Sequence, residues 1–186
     1  MLFVFWDNSN IHYSGIKVCE MIQAGKDTRL YRTHFKNLFE LVRDDRDVKS
    51  AFVAGSVPPP SDAVWRHLDQ LGVHLILLDK TASGKEQDSV DMSLQTWMFR
   101  MMCDHEPGTM ALITGDGSGK SLGKGFLADL ERIHDKGWDV EVYAWETTCN
   151  RYLKDFAERS GRFVSLEKHY YSISFLESQR FEKELS

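Results

Sequence analysis

Leu2-Phe3-Val4-Phe5-Trp6-Asp7-Asn8-Ser9-Asn10 opens the chain with an apolar run that stops at an aspartate and a cluster of turn-forming side chains. A short apolar run closed in this way reads as a buried strand of a parallel sheet, with the acid at its carboxyl end. Met110-Ala111-Leu112-Ile113-Thr114 repeats the arrangement far downstream and runs into Gly115-Asp116-Gly117. Open α/β sheets bind their ligands at that edge. Carboxylates gathered there need cations, and a divalent metal ion is the simplest.

Outward from these two runs, strands and helices alternate. Strands are predicted over 2–7, 49–55, 73–79, 110–114 and 138–144, with an edge strand near 162–166. Helices are predicted over 15–24, 33–43, 62–71, 88–102, 126–136 and 149–159. Phe35, Leu38, Phe39 and Val42 share one face of the second helix. Ser61, after Pro58-Pro59-Pro60, suits the N-cap of the third. The alternation predicts a mostly parallel central sheet with helices on both faces, a three-layer α/β/α sandwich. The domain is expected over residues 1–170, and the weakly patterned, charged stretch 171–186 as a C-terminal tail.

A chain of 186 residues can bury a core without disulfides or metal staples. Its 42% hydrophobic and 27% charged residues are those of an ordinary soluble globular protein. Cys19, Cys103 and Cys149 are odd in number and widely spread, which points to a reduced, cytoplasmic protein rather than a disulfide framework or zinc site. There is no signal-like start and no apolar run of membrane-spanning length, so no membrane partner is expected. A net charge of −5, from 23 basic and 28 acidic residues, excludes a protein that coats nucleic acid by charge alone. It leaves room for an enzyme with a local basic patch beside an acidic site.

Turn chemistry by itself accounts for Asp7 and for Asp116. A third segment, Lys85-Glu86-Gln87-Asp88-Ser89-Val90-Asp91, shifts the balance. Asp88 reads as a helix cap, whereas Asp91, followed by Met92, Leu94 and Trp97, lies close to a buried face and needs a partner. Asp7, Asp91 and Asp116 converging on one sheet edge would suit Mg²⁺ or Mn²⁺, which favour hard oxygen ligands. The chemistry that follows is phosphodiester hydrolysis, with the metal activating water and offsetting phosphoryl charge.

Asp7 with Asn10, Lys85 leading into Val90-Asp91-Met92, and Thr114-Gly115-Asp116-Gly117-Ser118 stand in that order, followed by Gly137-Trp138-Asp139-Val140-Glu141-Val142. Together these segments, spanning about residues 2–165, resemble the NYN branch of the PIN-like nucleases. The resemblance implies a PIN-like fold and metal-dependent endoribonuclease activity on single-stranded or structured RNA. Two departures stand out: Ser118 occupies the place of a second acid in the late motif, and Thr96 and Trp97 stand where the middle helix often carries another. They motivate an alternative in which the chain is a catalytically weak or inactive module binding RNA or a protein partner. A phosphohydrolase acting on small nucleotides is a third reading.

Gly119-Lys120-Ser121 suggests a P-loop, but that motif requires glycine where Thr114 stands. The loop's backbone amides, with Lys120 and Lys124, could instead meet substrate phosphates beside Asp116, and Lys85 could steady a scissile phosphate. Lys26, Arg29, Arg32, His34 and Lys36, interleaved with Tyr31 and Phe35, suit either single-stranded RNA or a solvated linker. Of these, Arg32 is taken as a substrate contact. Asn10 is expected to orient Asp7 or a bound water. A homodimer is compatible with the sequence but not specified by it.

Overall fold

The computed structural model describes residues 1–56, 68–70, 72–78 and 86–177, with the side chains of 56, 77–78, 86–90 and 121 left aside. Most of the helix expected over 62–71, Lys85, and the side chain of Asp88 lie outside the described residues. The strands are β1 (Leu2–Asp7), β2 (Tyr31–Thr33), β3 (Val48–Ser56), β4 (His74–Leu78), β5 (Thr109–Ile113), β6 (Asp139–Ala144), β7 (Arg162–Ser165) and β8 (Ser174–Leu176). The helices are α1 (Asn8–Ile22), α2 (Phe35–Arg43), α3 (Glu86–Asp104), α4 (Gly125–Asp135), α5 (Arg151–Ser160) and the short α6 (Tyr170–Ile173).

β1 is buried along its whole length because it runs through the centre of the sheet. The strand order is β4-β3-β1-β5-β6-β7, and every neighbouring pair is parallel. The expected mostly parallel sheet between helical layers is therefore present. Alternation along β1 assigns its two faces. Leu2, Val4 and Trp6 join Ile11 and Val18 of α1 and Leu38, Phe39 and Val42 of α2 in one core. Phe3 and Phe5 join Leu94, Met98 and Met101 of α3, together with residues of α4 and α5, in the other. Phe5 stacks on Phe52 at 5.3 Å between ring centroids, and Phe52 on Trp97 at 4.7 Å, which fixes the middle of α3 against the middle of the sheet.

Three elements differ from the sequence reading. α1 begins at Asn8 rather than near 15, because Asp7 caps it by accepting the Asn10 N–H. β2, too short to show a period, pairs antiparallel with β8. The fold continues past residue 170 into what was expected as tail: Ile173 and Ser174 are buried, and Ser174–Leu176 forms β8. Among the described residues, no helix is long and apolar enough to cross a membrane.

Candidate active site

Asp7 both ends β1 and starts α1, so its side chain is fixed from two directions. Its backbone is extended (φ −83°, ψ 93°), and Oδ1 accepts the Asn10 N–H at 3.0 Å. Oδ2 accepts the hydroxyl of Thr114, the residue after β5, at 3.0 Å. The same hydroxyl oxygen accepts the Asp116 N–H at 3.2 Å. Asn10 adds a second tie between the strand ends, its Oδ1 accepting the Gly115 N–H at 2.8 Å. β1 has β3 on one side and β5 on the other, so the strand order reverses here, where the general rule for open α/β sheets places a ligand crevice.

Asp7 is only 1% exposed. Burial pushes its carboxyl from the usual 3.8 up to about 6; hydrogen bonds from Asn10 and Thr114 oppose the rise, and the nearby charge of Asp116 adds to it. Among the described residues, no lysine or arginine forms an ion pair with either carboxylate. Asp116 itself is half-buried, and both its oxygens are engaged by Ser118: Oδ1 accepts the N–H at 3.0 Å and Oδ2 the hydroxyl at 3.1 Å. The serine that replaces an acid thus closes a tight turn around the aspartate.

The loop carrying Asp116 lies flat on the start of α5. A Cβ on Gly117 would come within 2.7 Å of Asn150 Cγ, so only glycine permits this approach. The Asn150 N–H donates to the Gly115 carbonyl at 2.8 Å, and Asn150 Oδ1 caps α5 by accepting from Tyr152 and Leu153.

Asp91 continues the buried stripe of α3 formed by Leu94, Met98 and Met101, at the i, i+3, i+7 and i+10 spacing of one helical face. It is half-buried. Trp97 sits at the level of Phe5 through Phe52, and Asp91 is six residues, about 9 Å, further along the helix. Asp7 is two residues, about 7 Å, beyond Phe5 in its strand. Because α3 connects β4 to β5, both parallel to β1, it runs opposite to β1 and carries Asp91, near its amino end, towards the edge where Asp7 sits. Among the described residues, no three His, Cys, Asp or Glu side chains form a ready cluster for a metal ion.

The remaining residues singled out from the sequence are more dispersed. Lys120 binds Glu131 at 2.6 Å, and Lys124 is exposed just ahead of α4. Arg32 donates to the carbonyls of Arg29 and Tyr31 and pairs with Glu177 at 2.6 Å. Arg29 pairs with Asp27, and His34 Nδ1 caps α2 by accepting the Asn37 N–H, so local structure occupies much of that basic stretch. Thr114 and Asn150 were missed by sequence reasoning. Thr114 carried a signal, a hydroxyl between a strand end and Gly-Asp, whereas Asn150 takes part only through the packing of α5.

The model of the NYN domain family matches residues 2–167, from the first residue of β1 past the end of β7. This chain belongs to the NYN domain family. Membership places it among the PIN-like ribonucleases and implies nuclease-type chemistry, for which divalent metals are the general cofactors and RNA the substrate. No curated protein matches the NYN chain. Among solved structures it is similar to a protein of unknown function from Vibrio parahaemolyticus RIMD 2210633, with a TM-score of 0.64 and 18% identity over 89% of this chain and 91% of that one. That likeness shows the shared fold.

Proposed function

We propose that this NYN protein is a metal-dependent endoribonuclease that cleaves RNA in the crevice between the ends of β1 and β5. The observation that carries the reading is the Asp7–Thr114–Asp116 arrangement: the buried Asp7 carboxylate is tied through the Thr114 hydroxyl to the backbone N–H of Asp116, and neither acid has a basic partner among the described residues. A buried carboxylate held this way is costly unless a cation offsets it. The all-oxygen donor set suits Mg²⁺ or Mn²⁺, with Asp7 and Asp116 as ligands and Asp91 contributed by α3. When bound, such an ion supplies Lewis-acid polarisation of the phosphoryl oxygens and a water of lowered pKa.

The chain's own residues do the rest. Thr114 and Asn10 hold the two strand ends in register, so that Asp7 keeps its orientation. Lys120, Lys124 and Lys85 are the phosphate contacts, Lys120 exchanging Glu131 for substrate. Arg32 is a more distant contact, available once Glu177 gives way.

A second reading, an RNA- or protein-binding module without catalysis, is favoured by one observation. Ser118 engages both oxygens of Asp116 in the position of the family's second acid. Incubation of labelled single-stranded RNA with Mn²⁺, with and without EDTA, separates the two. The nuclease reading expects internal cleavage that EDTA abolishes and that Asp7→Asn or Asp116→Asn lowers on the order of 100-fold. Tight RNA binding with no metal-dependent cleavage would establish the second reading instead.

A further inference from the structure

A groove of about 370 Å³, lined by Lys120, Tyr152, Asp155, Glu158 and Arg159, opens between the Asp116 loop and the outer face of α5. Its volume is at the lower end of the ~300–1,000 Å³ of small-molecule sites. Its place follows from Asn150, which packs on Gly117, bonds Gly115 and caps the helix turn that carries Tyr152. A second groove, of about 320 Å³, lies near the amino ends of β3 and β4, away from Asp7 and Asp116; there Arg46 is taken up by Glu141, Val42 and Arg43.

Tyr152 is 66% exposed, whereas Tyr31, Tyr143 and Tyr170 are buried. An exposed ring beside a phosphate-cleaving site offers a stacking surface for a base. The carboxylates beside it retain acceptor capacity. Asp155 meets Arg151 only at 3.6 Å and Glu158 meets Lys154 only at 3.7 Å, with side chains 45% and 51% exposed. Lys120 and Arg159 supply the charge for adjoining phosphates.

We propose that this groove is a nucleobase subsite that seats one guanine of the RNA next to the Asp116 loop. The inference rests on the ribonuclease reading above. The base stacks on Tyr152, and a carboxylate of Asp155 or Glu158 accepts the two parallel N–H groups of guanine's Watson–Crick edge, as it would from an arginine fork. Uracil presents one N–H between two carbonyl oxygens, which a carboxylate repels. The groove therefore favours guanine over uracil.

The test uses the full chain and fluorescently labelled oligouridine, with and without a single internal guanosine. Binding is measured by anisotropy in EDTA and cleavage separately with Mn²⁺. Wild type should bind the guanosine-containing RNA more tightly than oligouridine. Tyr152→Ala should weaken that binding by about 10-fold, Tyr152→Phe should behave as wild type, and an Asp155→Asn/Glu158→Gln double variant should erase the guanosine preference. If wild type binds and cleaves RNA but shows no guanosine preference, or Tyr152→Ala binds as tightly as wild type, the subsite is refuted and the ribonuclease reading survives. If wild type neither binds nor cleaves either RNA, both fall.

Discussion

A hydroxyl buried to the last square ångström, donating to Asp7 and accepting from the Asp116 N–H, ties the carboxylate at the end of β1 to the backbone of the loop that carries Asp116. Valine at this position would match threonine in shape and remove both bonds. Asp7 Oδ2 would lose its donor in a buried setting, where an unpaired group costs about 1–3 kcal/mol, and the half-buried Asp116 N–H would lose its acceptor. Thr114→Val is therefore expected to lower unfolding stability by about 2 kcal/mol and RNA cleavage by at least ~10-fold. Thr114→Ser keeps the hydroxyl and should restore most of both. Denaturant melts and cleavage rates on the same preparations check the pair, and a valine variant with wild-type turnover would remove Thr114 from any positioning role. Ser118 acts at the same scale. By closing a turn on Asp116 it holds in place a side chain that a second acid would have repelled.

Among the elements, α5 bears on the site without contributing a ligand, because its capping residue is also the surface on which Gly117 rests. Asn150→Ala should lose about 1 kcal/mol from the missing cap and loosen the Asp116 loop, lowering cleavage as well. Asn150→Asp retains a capping oxygen and should recover the stability. A melting midpoint unchanged in the alanine variant would contradict this account. The long elements were legible beforehand because their patterns are long: the apolar runs of β1 and β5 state their own burial. The face of α3 was legible only in part, since Leu94 is buried as expected but Met92 is exposed, and the buried stripe runs on through Met98 and Met101. Asp7 and Asp116 were legible because each interrupts such a run. The start of α1 was not, since Asp7-Asn8-Ser9-Asn10 offers the same side chains to a turn and to a helix cap, and only the Asn10 N–H on Oδ1 distinguishes them. β2 and β8 were not legible either. Three residues carry no measurable period, and their pairing joins Tyr31 to Leu176 across most of the chain. The basic stretch around Arg32 looked like a binding surface because sequence lists charges without their partners, here Asp27 and Glu177.

For the molecule as a whole, the buried Asp7 makes folding stability depend on pH and on metal together. Its carboxyl titrates near 3.8 in the unfolded chain and is pushed up to about 6 in the fold. The folded state thus holds the proton more tightly. The associated stability is fully present below pH 3.8 and is lost as pH rises through about 6. A shift of roughly two units corresponds to about 3 kcal/mol. His12 works in the opposite direction: burial, with the charge of Arg32, lowers its pKa, so its contribution is lost as pH falls below 6.5. Comparing wild type with Asp7→Asn at each pH cancels that term. In EDTA, wild type should lose stability relative to Asp7→Asn between pH 4 and pH 7, by an amount on the order of 2–3 kcal/mol. A divalent ion that binds only the folded chain stabilises it in proportion to the logarithm of its concentration over Kd. Because it binds the ionised carboxylate, its effect should grow as pH rises through about 6. Mn²⁺ should then raise the melting temperature of wild type at pH 7 well above its value in EDTA, and leave that of Asp7→Asn nearly unmoved. Parallel pH profiles for the two proteins in EDTA would mean that the fold stabilises the ionised Asp7 by some means other than a cation, and the case for a metal at this edge would lose its energetic basis.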